Sequence, residues 1–236
     1  MKKSLLMGAL AAAVVGGALG CGGKGGTDKA VPAADTSAVA ADTVADTVDT
    51  SAVAADTDTD TTFTDKRDWK VYRIVKIGGK TWFAENLNFA AKGSVCYDNK
   101  AANCAKYGRL YTWDAALKAC PAGYHLPDDD EWTTLENTVG GSETAGTKLK
   151  SKDGWLKNGN GTDDYGFSAL SGGDGNSGGS AYVVGCYGKW WSATEGNADS
   201  AWTRSMYYGR EDVHRNSINK TYLYSVRCVA DKEAKK

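Results

Sequence analysis

Histidine is scarce in this chain. Among 236 residues only His125 and His214 occur. Neither has a cysteine or serine at a spacing that suggests a nucleophile and its base, so both are read as structural and no catalytic residue is assigned. Excess positive charge is also missing. The formal net charge is −1 and no basic stripe stands out, which removes nucleic acid as a partner. Long apolar runs are absent except for Leu5 to Gly20, which is short and rich in small residues. Behind Met1-Lys2-Lys3 it reads as a secretory signal over residues 1–20, not as a membrane span. Proline occurs only at Pro32, Pro121 and Pro127.

Aromatic residues are missing from the next segment until Phe63, and the composition there collapses to Ala, Asp, Thr, Val and Ser. Asp35 to Thr43 recurs verbatim as Asp49 to Thr57, and seven aspartates lie between Asp35 and Asp60 with no basic residue. Such a stretch cannot bury enough apolar area to offset its ordering entropy, and its charge extends it. Residues 21–64 are therefore expected to form a tether with an end-to-end distance on the order of 35 Å. Its start, Ala18-Leu19-Gly20-Cys21, resembles a bacterial lipoprotein box. The resemblance implies lipid on Cys21 as the membrane partner and an outer-membrane address, since no aspartate follows the cysteine. Asp42-Thr43-Val44 is similar to an Asp-Thr-aliphatic O-glycosylation site, with an unmodified spacer as the simpler reading.

The folded domain is placed at residues 65–231, with 232–236 a charged tail. Its first signal is a hairpin: Trp69 to Ile77 alternates, Gly78-Gly79 turns, and Lys80 to Phe83 returns. Leu110, Trp113, Leu117 and Cys120 fall on one face of an expected helix that Pro121 stops. Asp128 and Glu131 have the spacing of a capping box that starts a second helix, with Trp132, Leu135 and Val139 as its apolar stripe and Gly140-Gly141 as its end. The acids Asp128, Asp129, Asp130 and Glu131 thus read as a helix start, where the dipole favours them, and not as catalytic carboxylates.

Cys96 and Cys104 flank a short polar loop and read as a local disulfide, because no histidine or second cysteine pair sits at metal-ligand spacing. Cys120 is paired with Cys228, which lies in the alternating run Tyr222 to Val229. Cys186 remains, as a buried thiol or a reactive one. Between Gly140 and Lys189 the chain reads as a long irregular region of Gly, Asn and Asp. Trp190 to Glu195, Ala201 to Met206 and Val213 to Arg215 read as short strands. Trp113, Trp132, Trp190 and Trp191 are assigned to the core. Trp155, Tyr165, Tyr182, Tyr187, Tyr207 and Tyr208 lie in or near loops as flat rings that suit stacking on sugars, with ordinary surface tyrosines as the alternative; the first four are the candidate ligand-binding residues. Asn158, Asn160, Asp163 and Asp164 offer oxygens of the type calcium takes, with turn formation as the alternative.

Several motifs together resemble the Fibrobacter succinogenes major paralogous domain over roughly residues 65–231: Trp82-Phe-Ala-Glu-Asn-Leu87, Gly108-Arg-Leu-Tyr-Thr-Trp-Asp114, Cys120-Pro-Ala-Gly-Tyr-His-Leu-Pro127, Asp163-Asp-Tyr-Gly-Phe-Ser-Ala169, Trp190-Trp-Ser-Ala-Thr-Glu195 and Ser225-Val-Arg-Cys228. The corner Gly123 to Trp132 is similar to the signature of sulfatase-modifying-factor domains. That resemblance implies an α+β, C-type-lectin-like fold with two helices, small antiparallel sheets and a long loop region. The lectin calcium motif needs a loop proline, which is absent from Gly140 to Lys189. An oxidase would need paired active-site cysteines, for which only Cys186 and Cys228 are available. The expectation is a lipid-anchored, non-catalytic binding or adhesion domain without an assigned cofactor, its ligand a polysaccharide or an envelope component. The alternatives are a purely structural envelope protein and, third, an enzyme related to formylglycine-generating oxidases.

Overall fold

The computed structural model describes residues 61–176 and 181–231. The signal segment, Cys21, the tether up to residue 60 and the charged tail lie outside the described residues. In chain order the elements are β1 (Thr61–Asp65), β2 (Lys70–Ile77), β3 (Lys80–Phe83), β4 (Ser94–Val95), α1 (Ala101–Tyr107), β5 (Leu110–Tyr111), α2 (Trp113–Ala116), β6 (Tyr124–His125), α3 (Asp129–Thr138), α4 (Ser142–Leu149), β7 (Asp174–Gly175), β8 (Ala181–Tyr182), β9 (Tyr187–Asn197), β10 (Ser200–Tyr207), β11 (His214–Asn219), β12 (Tyr224–Ser225) and β13 (Val229–Ala230). They form a five-stranded sheet in the order β1-β2-β3-β13-β6, a six-stranded sheet in the order β11-β10-β9-β12-β5-β4, and the β7-β8 pair. The class is α+β.

The expected hairpin is β2-β3, with Ile77 opposite Lys80. Gly78 and Gly79 both have positive φ, 62° and 73°, the backbone that a two-residue turn between twisted strands demands. The strand β1 adds to its outer edge and takes in residues 61–64, which the sequence assigns to the tether. Helix α3 starts as expected: the Asp128 carboxylate accepts from the Glu131 amide and the Glu131 carboxylate accepts from the Asp128 amide. Trp132, Leu135 and Val139 are buried.

The stretch 110–120 is corrected. Leu110 and Tyr111 are a strand, the helix is only Trp113–Ala116, and turns carry the chain to Cys120. Ala116 and Ala119 are buried in place of Leu117, which is 40% exposed. The β-prone Leu-Tyr-Thr run is drawn into pairing with β12 and β4, and that pairing overrides the helical spacing. Two helices, α1 and α4, stand where the sequence suggested loops.

Both expected disulfides are present, Cys96–Cys104 and Cys120–Cys228, with Cα separations of 4.9 and 5.8 Å. Closing a loop of 108 residues restricts the unfolded chain by roughly 5 kcal/mol in the loop-entropy model. Cys186 is buried.

The C-terminal run is not one alternating strand. Residues 223–229 are buried without interruption, because β12 belongs to the six-stranded sheet and β13 to the five-stranded one. Between them the chain crosses the interior, with the Leu87 amide donating to the Val226 carbonyl and the Phe83 amide to the Cys228 carbonyl. Arg227 is fully buried there. It donates to Asn86 Oδ1 at 2.8 Å and to the carbonyls of Phe83 and Ser168 at 3.0 and 2.7 Å, with a further bond to Phe167 O. Asn86 Oδ1 also accepts from Trp190 Nε1 at 2.8 Å, while its Nδ2 donates to Tyr107 O at 2.9 Å. Asn86→Ala strands two buried donors at once, and each unmet group costs about 1–3 kcal/mol. The variant is expected to lose about 3 kcal/mol in urea unfolding; an unchanged midpoint would show that the node is dispensable.

Candidate functional site

The strands β9 and β10 alternate sharply. Trp190, Arg204 and Met206 are buried, whereas Tyr187, Lys189, Ser205 and Tyr207 stay partly exposed. Period-two alternation therefore puts the second set on one outward face. Register completes the face: Tyr187 stands opposite Tyr207, Lys189 opposite Ser205, and Ser205 opposite His214 of β11. With Arg210 and Asn216 these residues line an open recess of about 470 Å³.

Aromatic rings dominate it. The Tyr187 and Tyr207 centroids are 4.6 Å apart, and those of Tyr207 and Tyr208 are 4.3 Å apart. Lys157 Nζ lies 5.3 Å from the Tyr208 ring centroid. Lys189 Nζ lies 4.9 Å from the Tyr187 centroid and 5.4 Å from that of Tyr224, and 2.8 Å from Asp174 Oδ2. The Tyr207 hydroxyl is pushed up to about 12 by its hydrogen bond to Tyr208, and the same bond, with Lys157, holds Tyr208 below the usual phenol range. Arg210 grips Asp212 through two nitrogens, and His214 Nε2 is 3.1 Å from the same carboxylate. Asp174 Oδ1 is buried without a hydrogen-bond partner.

Ser205, His214 and Asp212 are the residue types of a nucleophilic triad. No hydrogen bond joins Ser205 to His214 among the described residues, and Asp212 is shared with Arg210. The geometry offers ring faces, amide and hydroxyl groups, and cations already paired with acids.

The candidate residues fare unequally. Tyr187 is in the recess, beside Tyr207 and Tyr208. Trp155 is a correction: it is 5% exposed, packs in the core beneath α4, and donates its indole N–H to Ser151 Oγ and Ala169 O, both at 3.1 Å. Its loop setting suggested exposure, but an apolar body with a satisfied N–H is better buried. Tyr165 is half-buried against the same core. Tyr182 lies in β8, its backbone opposite Asp174. Asn160 Oδ1 accepts from the Trp155 amide, and Asp163 accepts from the Ser168 amide and hydroxyl, so both close local turns. Asn158 is a left-handed turn residue with φ 60°, and Asp164 is exposed. Among the described residues no group of three or more His, Cys, Asp or Glu is placed to hold a metal. Lys189, Arg210 and Asn216 were missed; strand alternation signals the first and last once β9 and β11 are given their full lengths, whereas Arg210 lies in the turn between β10 and β11 and has no such signal.

The acids at the head of α3 bind protein groups. Asp129 Oδ1 meets Arg204 Nη1 at 2.6 Å, Arg215 Nε lies 2.9 Å from Asp129 Oδ2, and Glu131 takes Lys80 at 2.8 Å and His125 at 2.9 Å.

Fold and disulfides define an exported α+β domain with an aromatic face and no helix, among the described residues, long and apolar enough to cross a membrane. The family model described as the Fibrobacter succinogenes major domain matches residues 75–230, and the chain belongs to that family. No curated protein and no solved structure matches it.

His125 supplies a pH test. Burial disfavours its charge, but hydrogen bonds to Asp231 at 2.7 Å and to Glu131 outweigh this and hold the imidazole above its ordinary pKa. The stabilisation is complete below the unfolded value of about 6.5 and is lost as pH rises through the folded one. The urea midpoint is expected to fall between about pH 6 and pH 8, and His125→Gln to flatten that fall. An equal slope in both proteins would assign the dependence elsewhere.

Proposed function

We propose that the protein is a non-catalytic binding domain of C-type-lectin-like fold, carried on an acidic tether from lipid on Cys21 at the outer membrane or cell surface. Its ligand is a polysaccharide or another polyhydroxylated envelope component, held on the face of Tyr187, Tyr207 and Tyr208. One observation carries this reading: the rings of Tyr187, Tyr207 and Tyr208 lie in a row, the first two on paired strands and the third in the turn that follows, beside an open recess that also presents Lys189, Arg210, His214 and Asn216. The cations on this face are offset by Asp174 and Asp212. A neutral or mildly polar sugar suits it better than a polyanion.

A purely structural role would leave Tyr187 and Tyr207 with little task, since only Tyr208 of the three packs against the core. The test is binding of the full chain to a glycan array and to insoluble polysaccharide. Tyr207→Ala removes the middle ring of the row and is expected to weaken any bound glycan at least about fivefold, with little change in the thermal midpoint, because the side chain is partly exposed. Undiminished binding by this variant, or a blank array for the wild-type chain, would favour the structural role. Retained acylation after Cys21→Ala would remove the anchor.

A further inference from the structure

A second aromatic stands out on the other sheet. Trp69 is 75% exposed, and its backbone is left-handed, with φ 62°. For a bulky residue that conformation is strained by roughly 1–2 kcal/mol. The turn that imposes it is locked from below. Asp65, fully buried, accepts from the Arg67 amide at 3.0 Å and from Arg67 Nη2 at 2.7 Å, and its carbonyl accepts from the Trp69 amide at 2.7 Å. Arg67 in turn reaches Ala119 O at 2.8 Å and stacks on Phe89, its guanidinium carbon 3.8 Å from the ring centroid. Glycine would suit this turn without strain, so folding gives no reason for an indole there. Strain held by rigid surroundings at a bulky, exposed ring motivates a search for a ligand role there.

The next residues enter a groove of about 370 Å³. Val71, 57% exposed, and Arg73 form one wall, and Glu85, Asn88, Lys106 and Ser168 complete it. Its charges are largely settled among themselves: Arg73 with Glu85 at 3.4 Å and Lys70 with Asp68 at 2.9 Å. That balance gives an anionic lipid surface little to hold. The half of β2 that lines the groove pairs with β1 on one side only, but on the other side Arg73 O accepts from the Ala84 amide and the Arg73 amide donates to Glu85 Oε2, so an extended peptide finds little free strand edge there. What is left for a ligand is a free ring face and a line of polar side chains.

We propose that Trp69 and the adjoining groove form a second carbohydrate site, in which the indole stacks on one ring of an oligosaccharide and Arg73, Glu85, Asn88 and Ser168 bond its hydroxyls. The site is independent of the tyrosine recess. Trp69→Gly separates folding from binding, because glycine relieves the strained φ. Its thermal midpoint is expected to equal or exceed that of the wild-type chain, while affinity for at least one oligosaccharide on an array of neutral and acidic chains drops at least about fivefold by titration calorimetry. Trp69→Phe should restore part of that affinity. Tyr207→Ala should leave it unchanged, so that failure of one site is distinguishable from failure of the other. Equal affinities for wild type and Trp69→Gly across all bound chains overturn the proposal. So does an array with no ligand, or a variant that loses self-association in sedimentation while keeping its glycans.

Discussion

The architecture depends on keeping a guanidinium inside the protein. Arg227 has no exposed atom to speak of and no carboxylate in contact; burial pulls its pKa down to about 9, which still leaves it charged at neutral pH. An isolated buried charge is costly, so its donors must be met by oxygens fixed in place. Here they come from Asn86 and from carbonyls at residues 83, 167 and 168, and the Phe167 ring lies 4.4 Å from the guanidinium carbon. Those acceptors belong to two separate stretches of chain, and the cation itself to a third. The cation can be satisfied only when the end of β3, the loop before residue 170 and the C-terminal crossing are all assembled. The Cys120–Cys228 disulfide, one residue along, fastens the same crossing to the end of the α2 turn.

The motifs that give this chain its family resemblance converge on that interior. Asn86 comes from Trp82 to Leu87, Arg227 from Ser225 to Cys228, Trp190 from the tryptophan pair, and Phe167 and Ser168 from Asp163 to Ala169. Gly108, which opens another motif, lies so close to Asn86 that a Cβ there would meet its carbonyl oxygen at 2.8 Å. The signature is therefore a statement about packing. None of Lys189, Tyr207, Tyr208, Arg210 or Trp69 falls within the quoted motifs.

Much of this was legible in the sequence because it rests on local rules. The hairpin follows from two adjacent glycines between β-prone runs, α3 from its capping box, and the disulfides from an exported chain with few cysteines. What failed did so where long-range contacts decide. Leu110 and Tyr111 have a helical spacing but are captured by strand partners more than ten residues away in either direction. Helix α4 hides behind Gly141 and Gly146, poor helix formers, and is held by packing of Ala145 and Leu149 and by the Thr147 amide donating to Glu211 O. Trp155 sits among Gly, Asn and Asp, which describe a turn at the surface but not the direction of the ring. Only the tertiary fold sends it inward, and only the register of β9 against β10 brings Tyr187 to Tyr207.

Both aromatic surfaces share one physical property that bears on binding. Tyr187 and Tyr207 stand on paired strands, Tyr208 follows in a turn packed against the core, and Trp69 stands on a turn whose amides and carboxylate are committed to one another. A ring presented on a mobile loop must be ordered when ligand arrives, at about 0.5–1.5 kcal/mol for each side chain that is fixed, in addition to whatever backbone is immobilised. Rings whose backbones are already fixed avoid most of that loss. For ligands such as sugars, whose individual stacking contacts are worth only about 1 kcal/mol, the difference decides whether one or two rings suffice. A domain that folds so much of its aromatic content into the interior therefore needs few rings outside, provided that each is held as firmly as these are.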